Sequence, residues 1–351
     1  MTPLLLVVTV LAGALGAAEP AKAPAAPKKA PAKKPAAVAP AKPEAPKQTA
    51  PPLAVPKPPA DDFARASADL KDKNPMARRR ACDELARLRD PKAVPLLLPV
   101  LKDESPFVRS AAVDALGLLR AAEAVAPIGQ LLTKDPDGQV RQQAAIALAY
   151  LGAQSAEDAL VAALDDKETG VRYAAIRTLG ALRSAKAEAK VTALLKDSDP
   201  GMRRVAAGTL GQIRSAASLA PLSALLKDED LDTRREAVRA IGSLTGDGVK
   251  ETLLKALADP DGPTRIHAAM ALNRFGAPEG EKAVVDLLAN PDPRTRLQAA
   301  NVLGTLATKD VGLPALVKAA AADKDEGVKR QADFAARQTR ARLGLPEPTP
   351  K

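Results

Sequence analysis

The chain has no tryptophan, one histidine, one cysteine, four phenylalanines and two tyrosines in 351 residues. A single cysteine excludes an internal disulfide. His267 and Cys82 lie far apart along the chain, so they cannot form a thiolate–imidazole pair or seed a cluster of metal ligands. The few aromatic side chains leave little material for a ligand cage or a base-stacking platform. No stretch reads as a strand, and no glycine-rich phosphate loop follows one. These absences leave no recognisable catalytic constellation, and no cofactor or metal is expected.

What is present is alanine, leucine and arginine in a fixed rhythm. Arg78, Arg109, Arg141, Arg172, Arg203, Arg234, Arg265, Arg296 and Lys329 are separated by 31, 32, 31, 31, 31, 31, 31 and 33 residues. A period this regular means stacked structural units. Three residues after each anchor stands alanine, from Ala81 and Ala112 to Ala332. Seven after it comes Leu85, Leu116, Leu148, Leu179, Leu210, Ile241, Leu272, Leu303 or Ala336. Offsets 0, 3, 4 and 7 share one face of a helix, here called B. Cys82, aligned with Val113, Ile176 and Val238, is expected to be a buried core thiol. His267 is expected to be surface decoration.

Four residues before the anchors stand Asn74, Ser105, Asp137, Glu168, Asp199, Asp230, Asp261, Asp292 and Asp325. All but Glu168 are residue types that cap helix N-termini. Proline follows at Pro75, Pro106, Pro200 and Pro293, at the first helical position, where a missing N–H costs nothing. Upstream of each turn lies a second apolar helix, A, as in Val191–Leu195 and Leu222–Leu226. Each period is thus an antiparallel helix pair that buries its apolar faces only by stacking. Nine such units fill residues 61–345.

Six residues before the anchors stand Asp72, Asp103, Asp135, Asp166, Asp197, Asp228, Asp259, Asn290 and Asp323. An arginine near the middle of a packed face requires a counter-charge. The acid at minus six is the natural partner, from its own turn or the next unit, giving a ladder along the stack. Within one turn this pairs Arg203 with Asp197.

The pattern Asp-x-Asp-Pro-x-x-Arg-Arg-x-Ala-Ala-x-x-Leu-Gly at 197–211, and its counterpart at 166–180, resembles the HEAT-repeat family. The resemblance is closest to the short bacterial HEAT-like repeats of the phycobilisome-lyase type. It implies an all-α, right-handed alpha-alpha superhelix. It also implies a function drawn mostly from protein-binding scaffolds, with a few lyases and nucleic-acid enzymes among them. In such stacks the B helices line the inner, concave side. Their exposed positions, one and five residues after the anchor, hold Tyr173, Arg177, Arg204, Arg235 and Arg239 in the central units. These are expected to form a contiguous basic band that docks an acidic segment of a protein partner.

Residues 4–18 are apolar, too short for a comfortable membrane span, and end in small residues. They read as a signal peptide over 1–18, with an uncleaved inner-membrane anchor as the alternative. Residues 19–60 are almost entirely alanine, proline and lysine. Lys22, Lys28, Lys29, Lys33, Lys34, Lys42, Lys47 and Lys57 face only Glu19 and Glu44 there, so net +6 of the chain's +10 sits in this stretch. Such a composition is expected to stay disordered, as a spacer or as an electrostatic contact to an anionic envelope surface. Residues 346–351 read as a disordered tail. The sequence therefore points to an exported, periplasmic or secreted monomeric scaffold that is not an enzyme. Nucleic acid is disfavoured as a partner, because export would remove it. The competing reading is a HEAT-like enzyme of the lyase or nucleic-acid repair type.

Overall fold

A computed structural model of the chain describes residues 60–346. The expected signal peptide, nearly all of the lysine-rich stretch and the end of the tail lie outside the described residues. Among the described residues every regular element is helical, eighteen α-helices and nine 3-10 turns, without a strand. They alternate as nine A–B units. The B helices are Pro75–Leu88, Pro106–Leu118, Gly138–Tyr150, Thr169–Ala181, Pro200–Ile213, Leu231–Ser243, Gly262–Asn273, Pro293–Leu306 and Glu326–Leu343.

Each B helix starts where the capping chemistry places it. The Asp137 carboxylate accepts the N–H groups of Gln139 and Val140, and the Asp292 carboxylate those of Arg294 and Thr295. Ser105 and Glu168 occupy the same position without a side-chain cap bond. The A helices are more broken than the periodicity suggests. In unit five a 3-10 turn (Ala185–Ala187), a six-residue α-helix (Glu188–Ala193) and another 3-10 turn (Leu194–Lys196) share the span. The tighter turns satisfy terminal backbone groups that a short helix cannot. Six of the nine B helices are followed by a left-handed residue eleven after the anchor: Arg89, Arg120, Arg183 and Arg214, or Gly152 and Gly276.

Successive B helices form one layer and the A helices a second, with the core between them. The alanines three after the anchors are at most 3 % exposed. Glycine eight after the anchor sets the closest approach. A Cβ on Gly211 would lie 2.8 Å from Ala240 Cα on the next B helix. Cys82 is fully buried, as its register requires.

Six of the anchor arginines read two loops at once, Arg78, Arg109, Arg141, Arg203, Arg234 and Arg296. The anchor Nη1 donates to the carbonyl six residues before it, at 2.8–3.0 Å for Arg78, Arg109, Arg141, Arg172, Arg203, Arg234 and Arg296. Nε and Nη2 grip the minus-six carboxylate of the following unit. Arg78 holds Asp103, Arg109 holds Asp135, Arg141 holds Asp166, Arg203 holds Asp228 and Arg296 holds Asp323, all at 2.7–2.8 Å. Arg234 reaches Asp259 through Nε at 3.1 Å. Each of these carboxylates also accepts the N–H two residues on, shaping the turn that presents the N-cap, as Asp103 does for Ser105 at 2.9 Å. Bidentate pairing of this kind fixes geometry as well as charge. Hydrogen bonds from Arg141 and Arg296 hold Asp166 and Asp323 below the usual carboxylate range.

The carboxylate partner of Arg203 is therefore Asp228, not Asp197, which lends Arg203 only its carbonyl. At two rungs of the expected ladder the arginine bonds no carboxylate. Arg172 turns its Nη2 to Thr169 Oγ1 at 3.0 Å and makes no bond to Asp197. Thr169 is the only hydroxyl residue three before an anchor. The minus-six residue of the unit after Arg265 is Asn290, whose Oδ1 accepts the Asp292 N–H at 2.9 Å, so that the other end of its amide is a donor and cannot accept from a guanidinium. Arg265 Nε is consequently buried without a partner. The core divides at the same joint. The buried side chains of units eight and nine, with Ile266 and Ala269, form a cluster separate from the one running from Ala66 to Ala277.

Candidate docking surface

The face of the B layer turned away from the A helices is formed by offsets −2, +1, +5 and +9 from the anchor. On a 100°-per-residue wheel these fall within roughly 80° of one another. All five sequence-predicted binding residues lie there, but they do not form a bare basic band. Arg204 Nη1 stands 3.4 Å from Asp232. Arg235 grips Asp261 through Nε and Nη2 at 2.9 and 2.8 Å, and Asp232 through Nη1 at 3.0 Å. Arg239 pairs with Glu236 at 2.8 Å. Only Arg177 is exposed with no carboxylate beside it among the described residues. The central strip is thus a network of alternating charge. The Arg235 hydrogen bond drives the Asp261 carboxyl down to about 2, and Asp261 raises Arg235 in turn.

Tyr173 is a structural donor here. Its hydroxyl donates to Asp199 Oδ2 at 2.7 Å and lies against Gly201, where a Cβ would meet the phenol oxygen at 2.3 Å. Burial, then Asp199, pushes the phenol up to about 12, so it stays protonated. His267 is half-buried rather than decorative. Burial first, then Arg239 and Arg235, lower its pKa, which keeps the imidazole neutral at pH 7. Burial pushes the Cys82 thiol up to about 12. The Cys82 thiol is therefore protonated, not a thiolate nucleophile, at neutral pH. Among the described residues no cluster of histidine, cysteine and carboxylate side chains could hold a metal ion. Nor is any described helix long and apolar enough to cross a membrane.

The sequence reading missed the apolar side chains on this face. Met76 and Phe107 sit at −2, Leu297 at +1, Met270 and Phe334 at +5, Leu118 and Tyr150 at +9. Phe107, Phe334 and Tyr150 are 68, 61 and 56 % exposed. In a chain with six aromatic residues besides its histidine, half of them stand in solvent on one surface. The signal was available for three of them, since the offsets +1 and +5 that flagged the arginines also flag Leu297, Met270 and Phe334; the −2 and +9 positions lay outside those offsets. Near Phe107 the surface is acidic, with Asp83, Asp114 and Asp137 around a hollow of about 370 Å³. Burial, then Asp83, raises the Asp114 carboxyl, against a 2.8 Å bond from Gln143. The face therefore runs from acidic and aromatic, through a mixed charge network, to apolar at Met270, Leu297 and Phe334.

Comparison with known proteins agrees with this architecture. The family described as HEAT repeats matches residues 66–129, 125–197, 188–261 and 250–337, without singling out the lyase type. No curated protein matches. Among solved structures, a chain from the Kap95p–RanGDP structure, whose description reports that Kap95p binding switches RanGDP loops to the GTP-bound conformation, is similar with a TM-score of 0.56. It is 15 % identical over 80 % of this chain and 44 % of that one. An engineered protein (TM-score 0.45, 22 % identity, 79 % of this chain and 88 % of that one) and YibA of Escherichia coli (TM-score 0.45, 21 %, 76 % and 98 %) are similar too.

Proposed function

The chain belongs to the HEAT-repeat family, and from that premise we propose that it is a non-enzymatic scaffold docking a protein partner along the free face of its B helices. The observation that carries this reading is the set of exposed aromatic and apolar side chains on that face. Large apolar groups left in solvent along one surface mark interaction sites, and aromatic anchors dominate interface energetics. Protein binding by Kap95p, which shares the fold, supports the same class of function.

The partner's chemistry follows from the gradient. Apolar anchors meet Met270, Leu297 and Phe334, and acidic side chains meet Arg177 and the exposed Arg204 and Arg239. Because Asp232 and Glu236 already oppose two of these arginines, partner carboxylates exchange for internal ones. Electrostatics then contributes register more than affinity. The leader-like residues 4–18 support a place in the cell envelope, and the chain acts there as a monomer.

Photo-crosslinking residues placed one at a time in the full chain test this, with Phe334, Leu297 and Arg177 as B-face positions and Leu96 and Val317 as A-helix controls. Crosslinks to one protein from the B-face positions are expected, weakened by Phe334→Ala. Crosslinks from the A-helix controls alone, or from residues 19–60 alone, would overturn the assignment.

A further inference from the structure

Side chains bridge neighbouring A helices at three seams among the described residues. Between units four and five, Lys186 pairs with Asp158 at 3.0 Å, and Lys190 with Asp165 and the Val161 carbonyl. Between units five and six, the Ser218 hydroxyl donates to Glu188 at 3.0 Å. Between units eight and nine, buried Glu281 accepts from Thr308 and from the Gly312 N–H at 2.8 Å. Between units six and seven no such bridge exists among the described residues. The two hydroxyls there are turned back on their own helices, Ser223 to the Leu219 carbonyl and Thr252 to the Gly248 carbonyl, each at 2.7 Å.

An open groove of about 970 Å³ lies at this seam, between Leu219–Ala224 and Val249–Ala256. Its two ends differ. At the helix N-termini the loop Leu244–Gly248 departs from the repeat, with Gly246 and Gly248 at φ 117° and 82°. It closes against unit six, where a Cβ on Gly248 would lie 3.3 Å from Leu219 Cδ2. This end is walled by Ala216, Ala217, Leu219 and Ala220. Consecutive A helices run parallel, so their C-terminal ends lie together at the other end, and there the groove carries exposed Lys227 and Lys255. Neither lysine has an ion-pair partner among the described residues. Asp259 also borders that end, but its carboxylate is occupied by Arg234 at 3.1 Å and by the Asp261 N–H at 2.8 Å.

An apolar trough, bordered by alanines and the Leu244–Gly248 loop at one end and cationic at the other, with no free hydroxyl along its walls, has the polarity of an amphiphile. We propose that this groove binds a single-chain fatty acid, tail between the two A helices and carboxylate between Lys227 and Lys255. Ten residues separate Ala217 from Lys227, about 15 Å at the helical rise. That span suits a tail of roughly a dozen carbons, whose burial is driven by the methylene transfer free energy. This site lies on the A layer and stands or falls independently of the B-face reading.

Isothermal titration of the full chain with dodecanoate, below its micelle concentration, tests it. Saturable one-site binding is expected, at least tenfold tighter than for hexanoate, which lacks the tail, and for dodecyltrimethylammonium, which reverses the head. Ala220→Trp, an exposed position that fills the trough, is expected to abolish binding. Lys227→Glu with Lys255→Glu is expected to weaken it tenfold or more while leaving the melting temperature unchanged. Equal binding to wild type and Ala220→Trp, no preference between the two head groups, or wild-type affinity weaker than about 1 mM would each overturn the proposal.

Discussion

Asn290→Asp should stabilise this protein. The substitution converts the one minus-six residue that cannot carry a charge into the residue found at the working rungs. The turn is retained, because Asn290 Oδ1 already accepts the Asp292 N–H at 2.9 Å and a carboxylate oxygen does the same. What changes is the second atom, from an amide donor to an acceptor that a guanidinium can use. In the intact rungs that geometry gives two bonds of 2.7–2.8 Å, as at Arg141–Asp166. Giving buried Arg265 Nε a partner removes a penalty of about 1–3 kcal/mol. Desolvation of the new carboxylate, at a site like the Asp166 side chain's 11 % exposure, takes back part of that. The net expectation is about 1–2 kcal/mol. Contacts in a solenoid are between neighbours, so the gain should concentrate at the joint between units seven and eight. It should appear as slower hydrogen exchange across Pro293–Leu306 and a higher urea midpoint at pH 7.

The sign of the pH dependence is a second check. Arginine depresses the rung aspartates Asp166 and Asp323, and a group with a depressed folded pKa binds more protons when unfolded. The added stability is therefore complete above the unfolded aspartate value of about 3.9. It is lost as pH falls through the lower folded value. Equal or lower stability of Asn290→Asp at pH 7, or a gain that survives acid, would refute the ladder reasoning.

Three further outcomes follow from the same geometry. Arg141→Ala strands Asp166 in a closed site and should cost about 3 kcal/mol, whereas Arg172→Ala, whose arginine bonds no carboxylate, should cost about 1 kcal/mol; equal urea midpoints for the two variants would contradict the assignment. Gly211→Ala should lower the melting temperature, because its Cβ meets Ala240 Cα at 2.8 Å, although helix propensity alone favours alanine by about 1 kcal/mol. Cys82 should resist Ellman's reagent at pH 8 in native buffer and react fully in denaturant; rapid native labelling would contradict both its burial and its raised pKa.

Much of this molecule is local, and local features were legible in the residues. A helix repeats every 3.6 residues, so alanine at +3 and leucine at +7 announce a buried face without reference to neighbours. Asparagine, serine or aspartate before Pro75, Pro106, Pro200 and Pro293 announces where that face begins. The nine units, the two-layer stack, the burial of Cys82 and the solvent-facing placement of Arg177, Arg204 and Arg239 follow from such rules.

The choice between an acid of the same turn and one of the next unit was not legible, because it depends on how one turn stacks on the next. Sequence spacing offers Arg203 an acid six residues back, yet the stack brings Asp228, 25 residues on, to its guanidinium. The same displacement carries Asp261 to Arg235 and turns an apparent basic band into a charge network. The open groove between units six and seven was equally hidden, since it is a gap between two packed A helices that no side chain crosses. Periodicity determines what each unit is. The register of stacking, a property of the packed helices, decides which charges meet and which surfaces stay open.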